Sequence, residues 1–452
     1  MIGQKSSKPT QDGIGSRVTR GAFLTLINFG GTSGLRLLSN LILTRLLFPE
    51  AFGLMALIQV VIAGATMFSD FGIREAIIQD KRGEEQAFID TAWTLQIIRG
   101  FILGAIIYMA AGPISVFFDA PQLGQMLHFS AVIPVLQGFN SIGMHTANKQ
   151  LLLGRLTLLA LSSQILGLVA MVGLAYWLES VWALVYGTMI TTLAHTVLSH
   201  VWLPLRTSWF VLEGDAVIRM FHYGKFIFFA TVAAFFENQG DKLVLGKFIA
   251  LDQLAIYNIA FFLATVPLLL AFAVTDKVFF PLYAHKPPSE SPENKKKIDK
   301  ARFVFSGALF FGVALLALIG DWLIRFLYDE RYYAAGPVLV LIALASMPRL
   351  IALSYEKVPL AFGDSKSFAI YKVSTAFLQF GLTVFGVQKF GLVAAVFAPA
   401  ITAVIAYPFL IRIAIKHKAW SPVHDGLFAG LTVIIAILTM LFYGNLLQDV
   451  SS

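Results

Sequence analysis

Long apolar runs constrain the fold of this chain more than any other feature. Crossing the hydrocarbon core of a bilayer takes a helix of about 20 apolar residues. Hydrophobic residues make up 57% of the sequence and charged residues 13%, whereas soluble domains contain roughly 45–50% and 25%. We therefore predict an all-α polytopic membrane protein with thirteen helices, at approximately 18–46, 50–78, 87–112, 121–148, 156–178, 182–203, 223–247, 253–280, 302–327, 335–358, 368–387, 391–415 and 425–445.

The second half of the chain repeats the first half roughly 200 residues later. Ser39–Leu57 and Asp241–Ile259 each contain an apolar run, a base, a short break with an acid and a new apolar run. Repeated halves are typical of transporters. We predict two six-helix lobes related by an internal parallel repeat, plus about one extra C-terminal helix. Further matches are Phe118-Asp119 with Tyr328-Asp329, Gly154-Arg155 with Gly363-Asp364, and Trp182-Ala183 with Leu392-Val393.

The loops predict the orientation of the chain. Lys and Arg are concentrated in alternate loops, which indicates a cytoplasmic N-terminus by the positive-inside rule. The polar N-terminus lacks the apolar core of a signal peptide. The predicted organisation is a cytoplasmic tail at 1–17, an N-lobe at 18–203, a cytoplasmic amphipathic linker at 204–222, a C-lobe at 223–415, and an additional helix and tail at 416–452.

Two cytoplasmic segments are longer than turns. The first, Pro204–Lys225, alternates apolar and charged residues. We expect it to contain an interfacial helix that turns Trp209, Phe210, Val217 and Met220 towards lipid. The second, His285–Arg302, is rich in Pro, Lys and Glu, which predicts a mobile, solvated linker.

Several classes of function are excluded or disfavoured. The chain contains no cysteine, which excludes disulfides, thiolate metal sites and cysteine nucleophiles. The histidines show no metal-ligand spacing, and no P-loop or nucleophile–base arrangement is present. The basic pI near 9.4 is better explained by topology than by nucleic-acid binding, because the bases lie between apolar runs. We expect no catalytic residue, no metal and no cofactor.

Five ionisable residues lie deep within predicted spans. A charge at the bilayer centre costs about 2.5–3.5 kcal/mol on insertion scales, so these groups must face protein or water. We therefore predict a polar interior between the two halves. The arginines suit an anionic substrate group, since guanidinium stays charged and binds phosphate through paired donors. The five residues are Arg36, Arg99, Glu237, Asp241 and Arg349.

Two pairs of charged residues are spaced four apart. Asp70 and Arg74 are expected to share a helix face, where they form a self-neutralising ion pair or contact substrate. Glu237 and Asp241 also share a face but repel each other. They need a coupling proton, a sodium ion or an opposing base such as Lys242 or Arg36, and the sequence leaves these alternatives open.

The first 80 residues carry a recognisable motif. Leu41–Leu57 followed by Phe68–Gln79 resembles the start of the polysaccharide transporters. These are the Wzx-type flippases of the multidrug/oligosaccharidyl-lipid/polysaccharide exporter superfamily. The matching residues are Arg45, Pro49-Glu50, Phe52-Gly53-Leu54, Asp70-Phe71-Gly72 and Ala76–Gln79, with Ile73 in place of the habitual Leu.

The resemblance implies a substrate and a mechanism. Proteins of this kind have a V-shaped pair of lobes and use alternating access. They move undecaprenyl-pyrophosphate-linked oligosaccharides across the bacterial inner membrane, for exopolysaccharide, capsule or O-antigen. By this resemblance Arg36 and Arg74 hold the pyrophosphate, whereas Arg99 and Arg349 are candidates by depth alone. The implied partners are membrane lipids, a polysaccharide polymerase and glycosyltransferases.

Two other functions compete with this interpretation. One is a proton- or sodium-coupled small-molecule antiporter on the same fold, which would depend on Glu237 and Asp241. The other is a non-transporting membrane scaffold in a polysaccharide assembly complex.

Overall fold

The computed structural model describes residues 11–150, 152–203 and 209–451, and these contain helices and no strand. A five-residue π-helical turn, Thr275–Phe279, separates the helices Leu251–Val274 and Phe280–His285, and a short 3-10 turn, Glu330–Tyr332, precedes the helix Ala335–Leu353. The helices are α1 (Gln11–Leu46), α2 (Pro49–Met67), α3 (Ile73–Gln79), α4 (Gln86–Phe117), α5 (Pro121–Ser130), α6 (Val132–Gly138), α7 (Gly143–Lys149), α8 (Leu153–Leu178), α9 (Trp182–Trp202), α10 (Gly214–Phe248), α11 (Leu251–Val274), α12 (Phe280–His285), α13 (Pro292–Leu327), α14 (Ala335–Leu353), α15 (Val358–Ala361), α16 (Ser365–Lys416) and α17 (Pro422–Ser451).

Several helices have the length and hydropathy of membrane spans. Within the described residues, eight helices meet this criterion, or nine if Gly214–His222 and Ile227–Phe248, bent by 48°, form one span. This establishes a multi-pass membrane protein. The 52-residue α16 combines two predicted helices, at 368–387 and 391–415. They are separated by a kink at Gly391, whose φ of 55° and ψ of −139° are not helical.

Two predicted helices are broken in the structure. The range 121–148 is not one helix but the three short helices α5, α6 and α7. Pro134 contributes to this break because it has no N–H for the carbonyl of Ser130. The helix predicted at 50–78 ends at Met67, and α3 begins only after Gly72, which has a φ of 66°. Left-handed backbone of this kind favours glycine.

The predicted mobile linker at 285–302 is also corrected. The helix α13 begins at Pro292, where the Ser291 side chain accepts a hydrogen bond from the N–H of Asn294. A serine N-cap followed by proline is a strong helix start. Arg302, the last residue of the predicted linker and the first of the helix predicted at 302–327, lies inside α13 and is fully buried. Local composition therefore obscured a capped and well-packed helix.

The internal repeat is confirmed in the helix boundaries. The helices α1 and α10 end at Leu46 and Phe248, and α2 and α11 begin at Pro49 and Leu251, in each case 202 positions apart. Glu179 precedes α9 with a φ of 46°. In the second half, Gly391 has a similar positive φ and precedes the C-terminal part of α16. The two halves therefore share the positions of these helix ends and a left-handed break.

The chain forms two compact units that do not follow chain order. The first unit comprises Met1–Leu47, Phe68–Val116 and Ala120–Phe228. The second comprises Phe48–Met67, Phe117–Asp119 and Phe229–Ser452, so α2 belongs with the C-terminal helices.

Within the second unit, α2 packs closely against its repeat counterpart α11. A Cβ atom at Gly53 would lie 2.0 Å from the carbonyl oxygen of Leu251. Only glycine permits this approach of the two backbones.

The linker between the halves differs from its prediction over residues 209–213, while residues 204–208 lie outside the described residues. Three backbone N–H groups of this segment donate to side chains of α4, namely Trp209 to Asp90, Val211 to Thr94 and Glu213 to Thr91. The segment is therefore extended, and the helix starts later, at Gly214.

The predicted lipid-facing residues of the linker are divided in the structure. Trp209 and Phe210 are 68% and 69% exposed, as an interfacial segment requires. Met220 is only 1% exposed and packs in a core that includes Ile77 and Phe88. Its predicted orientation towards lipid is wrong because the first turns of α10 bury that face against α3 and α4.

Candidate functional site

Glu237 lies at the centre of a charged cluster in the second unit. Its carboxylate forms an ion pair with the guanidinium of Arg349 and accepts from Lys372 at an Nζ–Oε2 distance of 2.9 Å. Lys372 also contacts Oε1 of Glu356 at 3.2 Å. Two acids and two bases make this group neutral overall. Such pairing allows four charges to lie within apolar helices.

Each member of the Glu237 cluster comes from a different part of the fold. Glu237 is on α10, Arg349 on α14 and Lys372 on α16, while Glu356 follows the end of α14. The side chain of Gln379 donates to the backbone carbonyl of Glu237 at 3.2 Å, which joins α16 to α10 a second time. The cluster is therefore a tertiary feature.

The charged groups of this cluster remain partly accessible. The side chains of Glu237, Arg349 and Lys372 are 11%, 20% and 26% exposed. The Arg349 guanidinium also stacks on Phe272, with 5.2 Å between its central carbon and the ring centroid. Arg349 is thus held in place by an aromatic face as well as by an acid. A small anion or a headgroup can reach bases with this degree of exposure.

The second acid of α10 has a different environment. The hydroxyl of Tyr257 donates to Oδ2 of Asp241 at 2.5 Å, and Oδ1 has no hydrogen-bond partner among the described residues. Lys242 contacts Gln239 and lies 4.7 Å from the ring centroid of Phe261. The sequence leaves a proton, a sodium ion and an opposing base as alternatives for neutralising Glu237, and the structure shows opposing bases. These bases are Arg349 and Lys372, not the expected Lys242 or Arg36.

The first unit holds the other predicted candidates. Arg99 of α4 donates from Nε to the hydroxyl of Ser69 at 2.9 Å. Ser69 is next to Asp70, so the structure places Arg99 against the break that contains Asp70.

Two further findings concern the first-unit candidates. Asp70 does not share a helix face with Arg74, so that prediction is wrong. It lies in the break before α3 and accepts from the N–H of Gly72 at 3.0 Å. Arg36 lies on an exposed face of α1.

A further buried carboxylate, Asp425, is absent from the residues that the sequence singles out. Asp425, near the start of α17, accepts from the Tyr355 hydroxyl at 2.8 Å, the Trp420 indole at 3.0 Å and the Tyr407 hydroxyl. The His424 ring lies 2.7 Å from its Oδ1. All four lone-pair positions of the carboxylate are therefore used. A signal was available in the sequence, namely an Asp beside a His at the start of an apolar run.

The Asp425 network attaches α17 to the second unit. His424 also contacts the hydroxyl of Ser306 on α13 at 2.8 Å. The buried Arg302 donates to the Tyr283 hydroxyl and to the carbonyl of Ala419. The thirteenth predicted helix, whose role the repeat does not explain, is thus part of the C-terminal core. This network also borders a cavity of about 450 Å³ between α14, α16 and α17.

Outside the spans, two charged groups show ordinary structural roles. Hydrogen bonds to Glu85 and Glu213, at 2.7 and 2.9 Å, raise the pKa of Arg82. The N–H and the hydroxyl of Ser367 hold the pKa of Asp364 below its usual range at the start of α16. These groups fix the loop after α3 and cap a helix.

Comparison with known proteins identifies the family. The family described as polysaccharide biosynthesis protein matches residues 42–337. The chain therefore belongs to this family, which confirms the resemblance to polysaccharide transporters. It is 24% identical to the teichuronic acid biosynthesis protein TuaB of Bacillus subtilis (strain 168), over 76% of this chain and 71% of that protein. It is 22% identical to the succinoglycan biosynthesis transport protein ExoT of Rhizobium meliloti (strain 1021), over 73% and 66%.

A solved structure gives the fold. The lipid II flippase MurJ in an inward closed conformation matches with a TM-score of 0.69 at 13% sequence identity. The match covers 95% of this chain and 99% of that chain. At this identity the match establishes the fold alone. It confirms the predicted helical architecture of the lipid-flippase type.

Proposed function

We propose that this polysaccharide biosynthesis protein moves oligosaccharide units linked to undecaprenyl pyrophosphate from the cytoplasmic to the outer leaflet by alternating access. The names of the relatives support this proposal. TuaB is named for teichuronic acid biosynthesis and ExoT for succinoglycan transport, and both products are polysaccharides. MurJ, which shares the fold, is named as a flippase for a lipid. A substrate that combines a lipid and a glycan is consistent with both.

One observation carries the proposal at the level of chemistry. Arg349 and Lys372, on two different spans, converge on a single carboxylate. Guanidinium and ammonium groups at one place inside a membrane protein are suited to a phosphate or pyrophosphate. Arg36, Arg74 and Arg99 of the first unit are proposed as further contacts of the headgroup.

The test is transport of a fluorescent lipid-linked glycan in proteoliposomes. We expect Arg349→Ala and Lys372→Ala each to slow flipping, and the pair Arg36→Ala with Arg74→Ala to slow it as well. Arg331→Ala is the matched control, since Arg331 is paired with Asp329 at the end of a helix. Flipping at the wild-type rate in Arg349→Ala, in Lys372→Ala and in the double variant of Arg36 and Arg74 would contradict the proposed headgroup role.

An antiporter is the second candidate, and one observation favours it. Asp241 is 6% exposed and has a carboxylate oxygen without a hydrogen-bond partner among the described residues. A buried acid of this kind is a candidate binding site for a proton or a sodium ion. This candidate predicts that Asp241→Asn abolishes ion-dependent export of small cations. Unchanged glycan flipping in the same variant would separate the two functions.

Cellular context completes the proposal. We infer that the chain lies in the bacterial inner membrane with a cytoplasmic N-terminus, and that it catalyses no covalent step. The chemistry of a repeat unit then requires glycosyltransferases to supply it and a polymerase to consume it. A non-transporting scaffold would be favoured if variants that block flipping still support normal polymer export.

A further inference from the structure

The carboxylate of Glu237 is bound to the two basic side chains that an anionic substrate would need. Arg349 and Lys372 both donate to its carboxylate. We propose that Glu237 is a resident counter-anion: the pyrophosphate of the substrate displaces it from Arg349 and Lys372, and the displaced carboxyl takes up one proton. This inference rests on the proposed function and adds a proton to its binding step.

The geometry makes displacement feasible. All three groups are between 11% and 26% exposed, so an incoming anion can reach the bases. Each base also keeps a second contact that does not involve Glu237. Lys372 remains paired with Glu356 at 3.2 Å, and Arg349 remains stacked on Phe272. Both bases therefore stay oriented while the acid leaves. A pyrophosphate offers more acceptor oxygens than a carboxylate and suits the guanidinium fork better.

The groups around Glu237 explain why its displaced carboxylate takes up a proton. The ionisable groups that face it are Arg349 from α14, Lys372 and Tyr371 from α16, and Glu356 from the turn after α14. Once the substrate has replaced Glu237 at the two bases, the other ionisable groups near Glu237 are an acid and a phenol. An isolated carboxylate in such a site is unfavourable and becomes neutral instead. One proton enters from solvent as the anion binds, and it leaves when the anion departs and the ion pairs re-form.

This exchange links binding to pH. Because one proton is taken up with each anion, the affinity rises as the pH falls. The expected slope is about tenfold per pH unit wherever Glu237 is charged in the free protein and neutral in the complex. An acidic compartment on either side of the membrane would therefore favour the loaded state on that side.

The experiment is calorimetric titration of the full chain in detergent. The probe is N-acetylglucosamine linked through pyrophosphate to a farnesyl chain, whose two pyrophosphate charges stay constant near neutral pH. Titration in two buffers that differ in ionisation heat counts the protons taken up. We expect about one proton per probe in the wild type and none in Glu237→Gln. At pH 8 we expect Glu237→Gln to bind the probe roughly tenfold more tightly, because its bases are already released.

Controls separate this exchange from a structural role. Asp241→Asn, one turn further along α10, should keep the wild-type proton count, and Glu237→Asp should retain proton uptake. Wild-type binding without proton uptake overturns the proposal, and this measurement decides it even if Glu237→Gln does not fold. Folded Glu237→Gln that binds the probe more weakly than the wild type also overturns it. Proton-linked binding without flipping in vesicles would instead refute the flippase function and leave the anion exchange standing.

Discussion

Two carboxylates of the second unit, Glu237 and Asp425, are neutralised in different ways. Glu237 is held by two charged bases and is partly accessible. Asp425 is held mainly by neutral donors, with three side chains and the adjacent His424 using all of its acceptor positions. A charged partner can bind a different anion equally well, whereas a set of short neutral donors is shaped around one carboxylate. The first arrangement suits exchange, and the second suits the permanent attachment of a helix.

The largest expected effect is the loss of both bases around Glu237. The double variant Arg349→Ala with Lys372→Ala should reduce probe binding and flipping by about 100-fold or more, since two charge-assisted contacts are worth about 3 kcal/mol. Titration and the vesicle assay measure these losses. The matched double variant Tyr355→Phe with Tyr407→Phe removes two contacts of Asp425 instead. A similar loss of probe binding in that variant would erase the distinction between the two carboxylates.

The next largest effect is the loss of stability when the carboxylate of Asp425 is replaced. In Asp425→Asn an amide N–H₂ replaces an oxygen that faces hydrogen-bond donors, which should cost about 2–4 kcal/mol of stability. Thermal unfolding in detergent measures this change, and the anionic probe should raise the melting temperature of Asp425→Asn by no more than it raises that of the wild type. Glu237→Gln should be destabilised less and should gain more from the probe, because it binds the probe more tightly. A larger gain in Asp425→Asn than in Glu237→Gln would place the exchangeable site at the wrong carboxylate.

A smaller effect sharpens the chemistry of Arg349. Replacing it with lysine keeps the charge but removes the planar fork that binds two oxygens together. We expect Arg349→Lys to weaken probe binding by about tenfold, or roughly 1.4 kcal/mol. The reciprocal variant Lys372→Arg should change binding little, because a lysine acts as a point charge. Equal affinity in the wild type and Arg349→Lys would show that the fork is not used.

The smallest effect concerns a carboxylate outside the spans. Asp364 accepts from the N–H and the hydroxyl of Ser367 at 3.0 and 2.8 Å, and these bonds hold its pKa below its usual range. A lowered pKa means that its contribution to stability is fully present above the unfolded-state value of about 3.9. It is lost as the pH falls through the folded-state value. The melting temperatures of the wild type and Asp364→Ala should therefore converge in acid, and a gap that widens there would contradict the assigned cause.

Much of the fold could be predicted from the sequence, because bilayer helices require long apolar runs. The repeated pattern in the sequence predicts equivalent helix boundaries in the two halves, and α2 and α11 begin at the equivalent residues Pro49 and Leu251. Local backbone breaks were harder to predict. Gly72, with its positive φ, separates Asp70 from Arg74, and nothing in the apolar pattern indicates such a turn.

The candidate site was predicted only in part. Depth within the spans singled out Glu237 and Arg349, but their pairing depends on how α10, α14 and α16 pack. Partner choice between helices is a tertiary property that residue spacing along one helix does not contain. Asp425 was missed for a related reason, since its donors come from the turn after α14, from α16 and from the turn before α17. The sequence therefore indicates which charges are costly, and the structure shows how each is neutralised.

The central claim is that the substrate anion replaces Glu237 at its two bases, whereas Asp425 keeps its hydrogen-bond donors. Infrared difference spectroscopy of the reconstituted protein tests it directly, because a protonated carboxyl has a C=O band distinct from that of a carboxylate. Addition of the farnesyl pyrophosphate-linked sugar should produce one protonated-carboxyl band in the wild type and in a folded Tyr407→Phe variant. The same band should be absent in Glu237→Gln. A band that persists in Glu237→Gln, or its absence from the wild type when the probe is bound, would contradict the account.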